Sequence, residues 1–183
     1  MLRVIFGLGS NLGDRAANIA KAIRLLDESA GLKITQVSSL YESAPVDFLD
    51  QPDFVNAAAA AETDLRPEDL LAAAQRIELE MGRVKTTDKG PRVIDVDILL
   101  YDIVEVRLPD LQVPHPRLRQ RAFALVPLLE VAADAIFPTG EPVRWAIKGV
   151  DIDSVRLFSK EVASGEVASS PKGQASRNDG TTR

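Results

Sequence analysis

The chain has no cysteine, one histidine, one tryptophan and two tyrosines in 183 residues. The missing cysteines exclude disulfides, thiolate metal sites and cysteine nucleophiles at once. A single histidine argues against a zinc centre built on imidazoles. No stretch approaches eighteen consecutive apolar residues, so nothing reads as a membrane span. Positive charge is in deficit too. Lys and Arg number 22 against 27 Asp and Glu, for a net charge of −5, which argues against a nucleic-acid-binding protein. The opening "MLRVIFGLGSNLGD" has one Arg and an apolar run too short for a secretory signal. A cytoplasmic protein is expected, with no nucleic-acid or membrane partner and no feature demanding a second subunit, hence a monomer.

What remains is ordinary globular material, 45% apolar and 27% charged, enough for one domain with a real core. Composition shifts near residue 160. The stretch "EVASGEVASSPKGQASRNDGTTR" is small and polar and buries too little to offset its ordering entropy. A domain over 1–160 and a disordered tail over 161–183 are therefore expected.

Within the domain, strand and helix patterns alternate. "LRVIFGL" reads as a first strand, and Asp14 can cap a helix running to about Ala30, with Gly31 just past its end. "LKITQVSSLY" alternates as one half-buried strand, and "DFVNAAAAAET" reads as another, although its alanines would also suit a helix. Pro67 opens a helix that Gly82 can close. "VIDVDILLY" is a buried strand, and a shorter one follows around Val104 to Leu108. A helix is expected from about Arg119 to Val131, with Pro127 able to kink it. The order β-α-β-β-α-β with C-terminal additions is that of an α+β, ferredoxin-like sandwich. Its helices would cover one face of a mainly antiparallel sheet and leave the other open for a site.

The chemistry concentrates in "GPRVIDVDILLYD". Asp95 and Asp97 alternate on a strand, so both carboxylates share a face. A solvated face is the ordinary explanation of such a pair, but Ile94, Val96 and Ile98 bracket these two. Like charges so placed repel and resist desolvation, and the pair makes sense only with a cation and its substrate present. Mg²⁺ suits it, taking one or two carboxylates and completing its shell with water and phosphate oxygens. Cations converge nearby: Arg83, Lys85, Lys89 and Arg92 precede the strand in "RVKTTDKGPR", and Arg117, Arg119 and Arg121 cluster beside His115. His115 lies between prolines in "VPHP", which suits a phosphate contact or a structural role. Phe54 and Asn56 are two apart on a strand, offering a flat ring and an amide to a planar heterocycle. Gln75 and Glu78 share a helix face. "GLGSNLGD" spaces its glycines as G-x-G-x-x-x-G, which is not the dinucleotide fingerprint; a tight turn that shapes the site is the better reading.

These segments, together with "SSLYESAP", "QPDFVNAA", "QRIELEMGR", "VPHPRL" and "RAFALVPLLE", resemble the hydroxymethyl-dihydropterin pyrophosphokinase family in order and spacing over roughly residues 3 to 158. The resemblance implies transfer of the pyrophosphoryl group of ATP to the hydroxymethyl oxygen of a reduced pterin, releasing AMP, in folate biosynthesis. It also implies that Asp95 and Asp97 hold two Mg²⁺ ions and act in catalysis with Arg83 and Arg92. Gln75, Glu78, Lys85, Ile98, His115 and Arg121 match ATP-site positions. Ser43, Ala44, Pro45, Val46, Phe54, Asn56 and Phe123 match the pterin site, with Phe54 where a tyrosine is frequent. A non-catalytic nucleotide- or metal-binding module of the same fold is the rival reading, and a different phosphotransferase a third.

Overall fold

The computed structural model describes residues 1–83 and 90–162. Lys85, Lys89 and nearly all of the expected tail lie outside the described residues.

The chain runs β1 (Leu2–Ser10), α1 (Arg15–Asp27), β2 (Leu32–Val37), β3 (Leu40–Ser43), β4 (Phe54–Thr63), α2 (Pro67–Glu80), β5 (Asp95–Tyr101), β6 (Val106–Leu108), β7 (Leu111–Val113), α3 (Ala122–Val131) and β8 (Val155–Ser159). The main sheet has the order β5-β1-β4-β3-β8, with β2 also on β4, and every pair is antiparallel. β6 and β7 form a separate hairpin. The strand expected over "LKITQVSSLY" is broken at Ser38–Ser39, and both halves pair with β4. Ser38 stitches the break: its amide donates to Ala58 O at 2.9 Å and its Oγ accepts from Ala58 N at 2.9 Å.

The alanine run is a strand because of where it sits. β4 lies inside the sheet with both faces covered, so tertiary burial overrides alanine's helix preference. Ala57, Ala59 and Ala61 join one core with Val4, Phe6, Leu8, Val96 and Ile98, under α1 and α2. Ala58 and Ala60 join a second core with Ile5, Leu99, Leu125 and Leu128, under α3. Helices therefore lie on both faces of the sheet, which corrects the expectation that one face stays open. α3 covers only part of the second face, and the remainder forms the site.

Helix ends follow local chemistry. Asp14 caps α1 by accepting from Ala17 N at 3.0 Å. The helix stops at Asp27, three residues before the expected end, and turns through Gly31 at φ +80°. α3 starts at Ala122, after a separate turn at Leu118–Gln120, and runs continuously through Pro127. β8 had no clear sequence signal; its exposed, non-alternating residues hide its pairing with β3.

Candidate active site

A cavity of about 300 Å³ opens on the sheet face opposite α1 and α2, beside α3. Its floor is β1 seen side-on. Leu8 points into the helix-side core, while Gly7 and Gly9 present bare backbone to the cavity. A Cβ on Gly7 would press on Leu99 at 3.1 Å, and one on Gly9 would meet the Asn56 amide oxygen at 3.4 Å. The first two strand residues flanking that floor in β5 are Asp95 and Asp97, in register with Gly9 and Gly7. The two carboxylates do share the cavity face, as their alternation requires. A register slip between Ile5 and Phe6 then turns both Leu99 and Leu100 towards the α3 core and ends the polar run.

The pair is less symmetrical than the sequence suggests. Asp95 Oδ1 lies 2.8 Å from Arg83 and its Oδ2 accepts from Arg92 Nη2 at 2.8 Å. Its charge is thus met by two guanidinium groups, which corrects the view that both carboxylates await a cation. Asp97 is less compensated: among the described residues its nearest cation is Arg121, at 4.0 Å. Burial, then the Asp95 carboxylate, push Asp97 up to about 7. Behind the pair, buried Glu78 accepts from Val96 N at 2.8 Å and pairs with Arg83. Burial raises Glu78 above the usual carboxylate range even with these partners. Burial works against Arg83, but Asp95 and Glu78 outweigh it and hold the guanidinium charged.

His115 sits across from the acids. Its backbone N donates to Leu99 O at 3.0 Å, and its Nδ1 accepts from Arg117 N at 3.1 Å. Burial, then Arg121 and Arg117, lower it to about 4. The ring is neutral at physiological pH; Nδ1 accepts from the Arg117 amide, and Nε2 faces Arg121 Nη1 at 3.5 Å. Burial and Arg117 also lower Arg121, so this wall holds positive charge in excess. Asp47 offsets part of it with a two-pronged bond to Arg117, 2.9 Å on each oxygen. Arg92 Nε is buried and has no partner among the described residues. An unpartnered donor beside crowded guanidinium groups fits an anion such as a phosphate.

The other end is built for a flat ring. Phe54 and Asn56 face the cavity from β4, with Val55 between them in the core. Asn56 Nδ2 donates to Ser43 Oγ at 3.0 Å, which fixes the amide and leaves its oxygen directed beside Gly9. Ala44, Pro45 and Val46 form one rim and Phe123, from the first turn of α3, another. Arg92 lies 4.9 Å over the Phe54 ring and Arg121 5.4 Å over Phe123.

Most of the expected residues therefore meet in one cavity: Ser43, Ala44, Pro45, Val46, Phe54, Asn56, Arg83, Arg92, Asp95, Asp97, His115, Arg121 and Phe123. Three described residues do not line it. Ile98 is buried in the core on the helix side, Glu78 braces the acids from behind, and Gln75 is exposed on α2. Arg119 leaves its cluster to stack 3.7 Å over Phe137 and to pair with Glu141. Gly7 and Gly9 line the cavity from strand β1, which corrects the tight turn expected of them, and Asp47 and Gln51 line it with no periodic signal to mark them. Among the described residues no group of three or more His, Cys, Asp or Glu forms a metal cage. Two carboxylates with room for solvent and phosphate oxygens form the sparse donor set that Mg²⁺ accepts.

Fold and cavity together define a class of protein: an α+β domain whose slot sets arginines and carboxylates at one end and two aromatic rings with an amide at the other. Comparison with known proteins narrows it. Residues 5–133 match the family model of 7,8-dihydro-6-hydroxymethylpterin-pyrophosphokinase. The "2-amino-4-hydroxy-6-hydroxymethyldihydropteridine pyrophosphokinase" of Methylorubrum extorquens is 43% identical over 151 residues, covering 82% of this chain and 95% of the relative. "Folic acid synthesis protein fol1" of Schizosaccharomyces pombe is 41% identical over 152 residues, covering 82% of this chain; the chain spans only 21% of that longer protein. A crystal structure of an HPPK-DHPS in complex with substrates aligns with a TM-score of 0.65 at 13% identity, covering 81% of this chain and 43% of that one. The chain belongs to the 7,8-dihydro-6-hydroxymethylpterin-pyrophosphokinase family.

Proposed function

We propose that the protein transfers the pyrophosphoryl group of ATP to the hydroxymethyl oxygen of 6-hydroxymethyl-7,8-dihydropterin, giving AMP and the pterin diphosphate, in folate biosynthesis. The observation that carries this reading is the single cavity with arginines and carboxylates at one end and Phe54, Asn56 and Phe123 at the other. The new bond joins the pterin oxygen to the β-phosphorus, and the bond from that phosphorus to the AMP oxygen breaks. The hydroxyl proton passes to solvent.

The chain's own residues align and neutralise, which is most of what phosphoryl transfer asks. Phe54 and Phe123 hold the ring, and Asn56 with the Ser43–Val46 segment bonds its edge. Arg83, Arg92 and Arg121 contact the triphosphate, with His115 beside Arg121 on the same wall. Gln75, Lys85 and the backbone of Ile98 would add nucleotide contacts, and Glu78 orients Arg83. Asp95 and Asp97 would hold two Mg²⁺ ions, which supply charge neutralisation along the triphosphate. Asp95 retains a second lone pair on each oxygen for this, and Asp97 has the less compensated charge.

The strand order supports the ferredoxin-like type within the α+β class. Pairing of β8 with β3 supports a catalytic unit reaching about residue 160. We place this unit in the cytoplasm as a monomer. No helix among the described residues is long and apolar enough to cross a membrane.

Incubation with ATP, Mg²⁺ and the reduced hydroxymethylpterin, with chromatography of the nucleotide products, tests the proposal. AMP formed only with pterin present supports it. ADP, or no turnover with either substrate withheld or supplied, overturns it.

A further inference from the structure

We infer that Asn11 is a positioning residue that locks the ring-binding loop to the segment before β5 that carries the phosphate-side arginine. The inference rests on the proposed reaction and adds to it a residue from the "GLGSNLGD" turn.

Asn11 follows β1 and is 2% exposed. Its Oδ1 accepts from Arg92 N at 2.8 Å. Its Nδ2 donates to Gln51 Oε1 at 2.9 Å and to Pro52 O at 3.1 Å. Its own backbone N donates to Arg92 O at 3.2 Å. The amide orientation is forced, because the Arg92 N–H can only donate and the Pro52 carbonyl can only accept. One side chain thus joins three segments far apart in sequence: the turn after β1, the loop 44–53 that ends at Phe54, and the stretch before β5.

The bonds extend further on both sides. Gln51 Nε2 donates to Phe48 O at 2.6 Å, so the Gln51 amide cannot reverse to suit a different partner. That loop carries Asp47, which grips Arg117 on the far rim. On the other side, Arg92 is the residue whose Nη2 holds Asp95 and whose guanidinium lies over Phe54. The place therefore demands one acceptor and two donors in one plane, buried. Among the twenty side chains a short amide meets that demand, and aspartate meets only the acceptor part. Fixing Arg92 and loop 44–53 to one point sets the distance between the ring slot and the phosphate end. In an in-line transfer that distance governs whether the hydroxymethyl oxygen can reach the β-phosphorus.

The test uses the full chain with two variants, Asn11→Ala and Asn11→Asp, with kcat, KM for each substrate, binding of ATP alone and thermal midpoints measured for each. Asn11→Ala removes all three side-chain bonds; kcat should fall roughly 10²-fold, the scale of a misplacement of about 1 Å. ATP binding without pterin should stay within about threefold, because the arginines that grip the phosphates remain. Asn11→Asp keeps the acceptor for Arg92 N and sets a carboxylate against Pro52 O and Gln51 Oε1. It should raise the pterin KM roughly tenfold and recover kcat to within about threefold of the wild type, since one side of the lock survives.

If Asn11→Ala does not fold, the Asp variant decides alone. A wild-type pterin KM in Asn11→Asp overturns the inference. So does a folded Asn11→Ala with wild-type kcat, or losses in either variant that only track the fraction folded. A wild-type chain with no pterin-dependent AMP would instead overturn the underlying reaction, so the two failures are distinguishable.

Discussion

Replacing Asp97 by Asn should stabilise the ligand-free protein while disabling it. The carboxylate lies beside Asp95, half-buried, with the Arg121 guanidinium at 4.0 Å. Its rise from 3.8 to about 7 corresponds, at about 1.36 kcal/mol per pH unit, to at most about 4 kcal/mol of disfavoured charge. The side chain keeps 39% of its surface open to the cavity, so solvent screening reduces the effect to about 1–2 kcal/mol. The sign follows from linkage: folding disfavours the ionised form, so the penalty is absent below about pH 4, grows between pH 4 and 7, and is complete above. Urea unfolding in EDTA at pH 4 and pH 8 would measure it. Asp97→Asn should exceed the wild type by about 1–2 kcal/mol at pH 8 and by less than half of that at pH 4, while turnover drops roughly two orders of magnitude. A variant no more stable than wild type at pH 8, or equally stabilised at both pH values, would refute the reasoning.

Three further outcomes are expected. Asn56→Ala removes the bond to Ser43 Oγ and, on the proposed function, the partner of the ring edge; the pterin KM should rise at least tenfold, about 1.4 kcal/mol or more, with the ATP KM unchanged in steady-state assays. Glu78→Ala leaves the buried Val96 N–H without its acceptor and should cost about 1–3 kcal/mol in denaturant titrations, whereas Glu78→Gln, which keeps an acceptor, should cost less. His115, the single histidine, gives one imidazole signal in NMR titrations. Its midpoint should fall near 4, so its contribution to stability is present above about pH 6.5 and is lost as pH falls towards that midpoint. A midpoint above 6 would contradict the buried, arginine-flanked environment.

Residues that act through strand periodicity were legible in the sequence. Asp95 with Asp97, and Phe54 with Asn56, reach the cavity because alternation leaves them nowhere else to point once Val96 and Val55 are in the core. Alternation also placed Ile98 on the opposite face, and the resemblance alone had brought it to the nucleotide. Partners set by loop geometry were not legible. Asp95 draws Arg83 and Arg92 to itself, and nothing in "RVKTTDKGPR" says which cations will be spent on protein carboxylates. Asn11 and Gln51 meet across 40 residues, a separation that no local pattern reports. The cluster Arg117, Arg119 and Arg121 divides because Phe137 and Glu141 offer the middle arginine a better place. The second helical layer escaped notice because α3 is apolar but for Glu130, too little of a polar face to announce its direction.

The glycines beneath the cavity bear on inhibition and resistance. A compound that derives its affinity from side chains at a rim can be defeated by exchanging them, as Val46, 65% exposed, is free to do. A compound that lies on Gly7 and Gly9 rests on main chain. A Cβ on Gly7 would press on Leu99, and one on Gly9 would reach contact with the Asn56 amide oxygen, so any longer side chain at either position fills the space the ligand and the drug would share. That strip of backbone is the part of the wall from which escape by substitution is hardest, and so the surface an inhibitor should be shaped to touch.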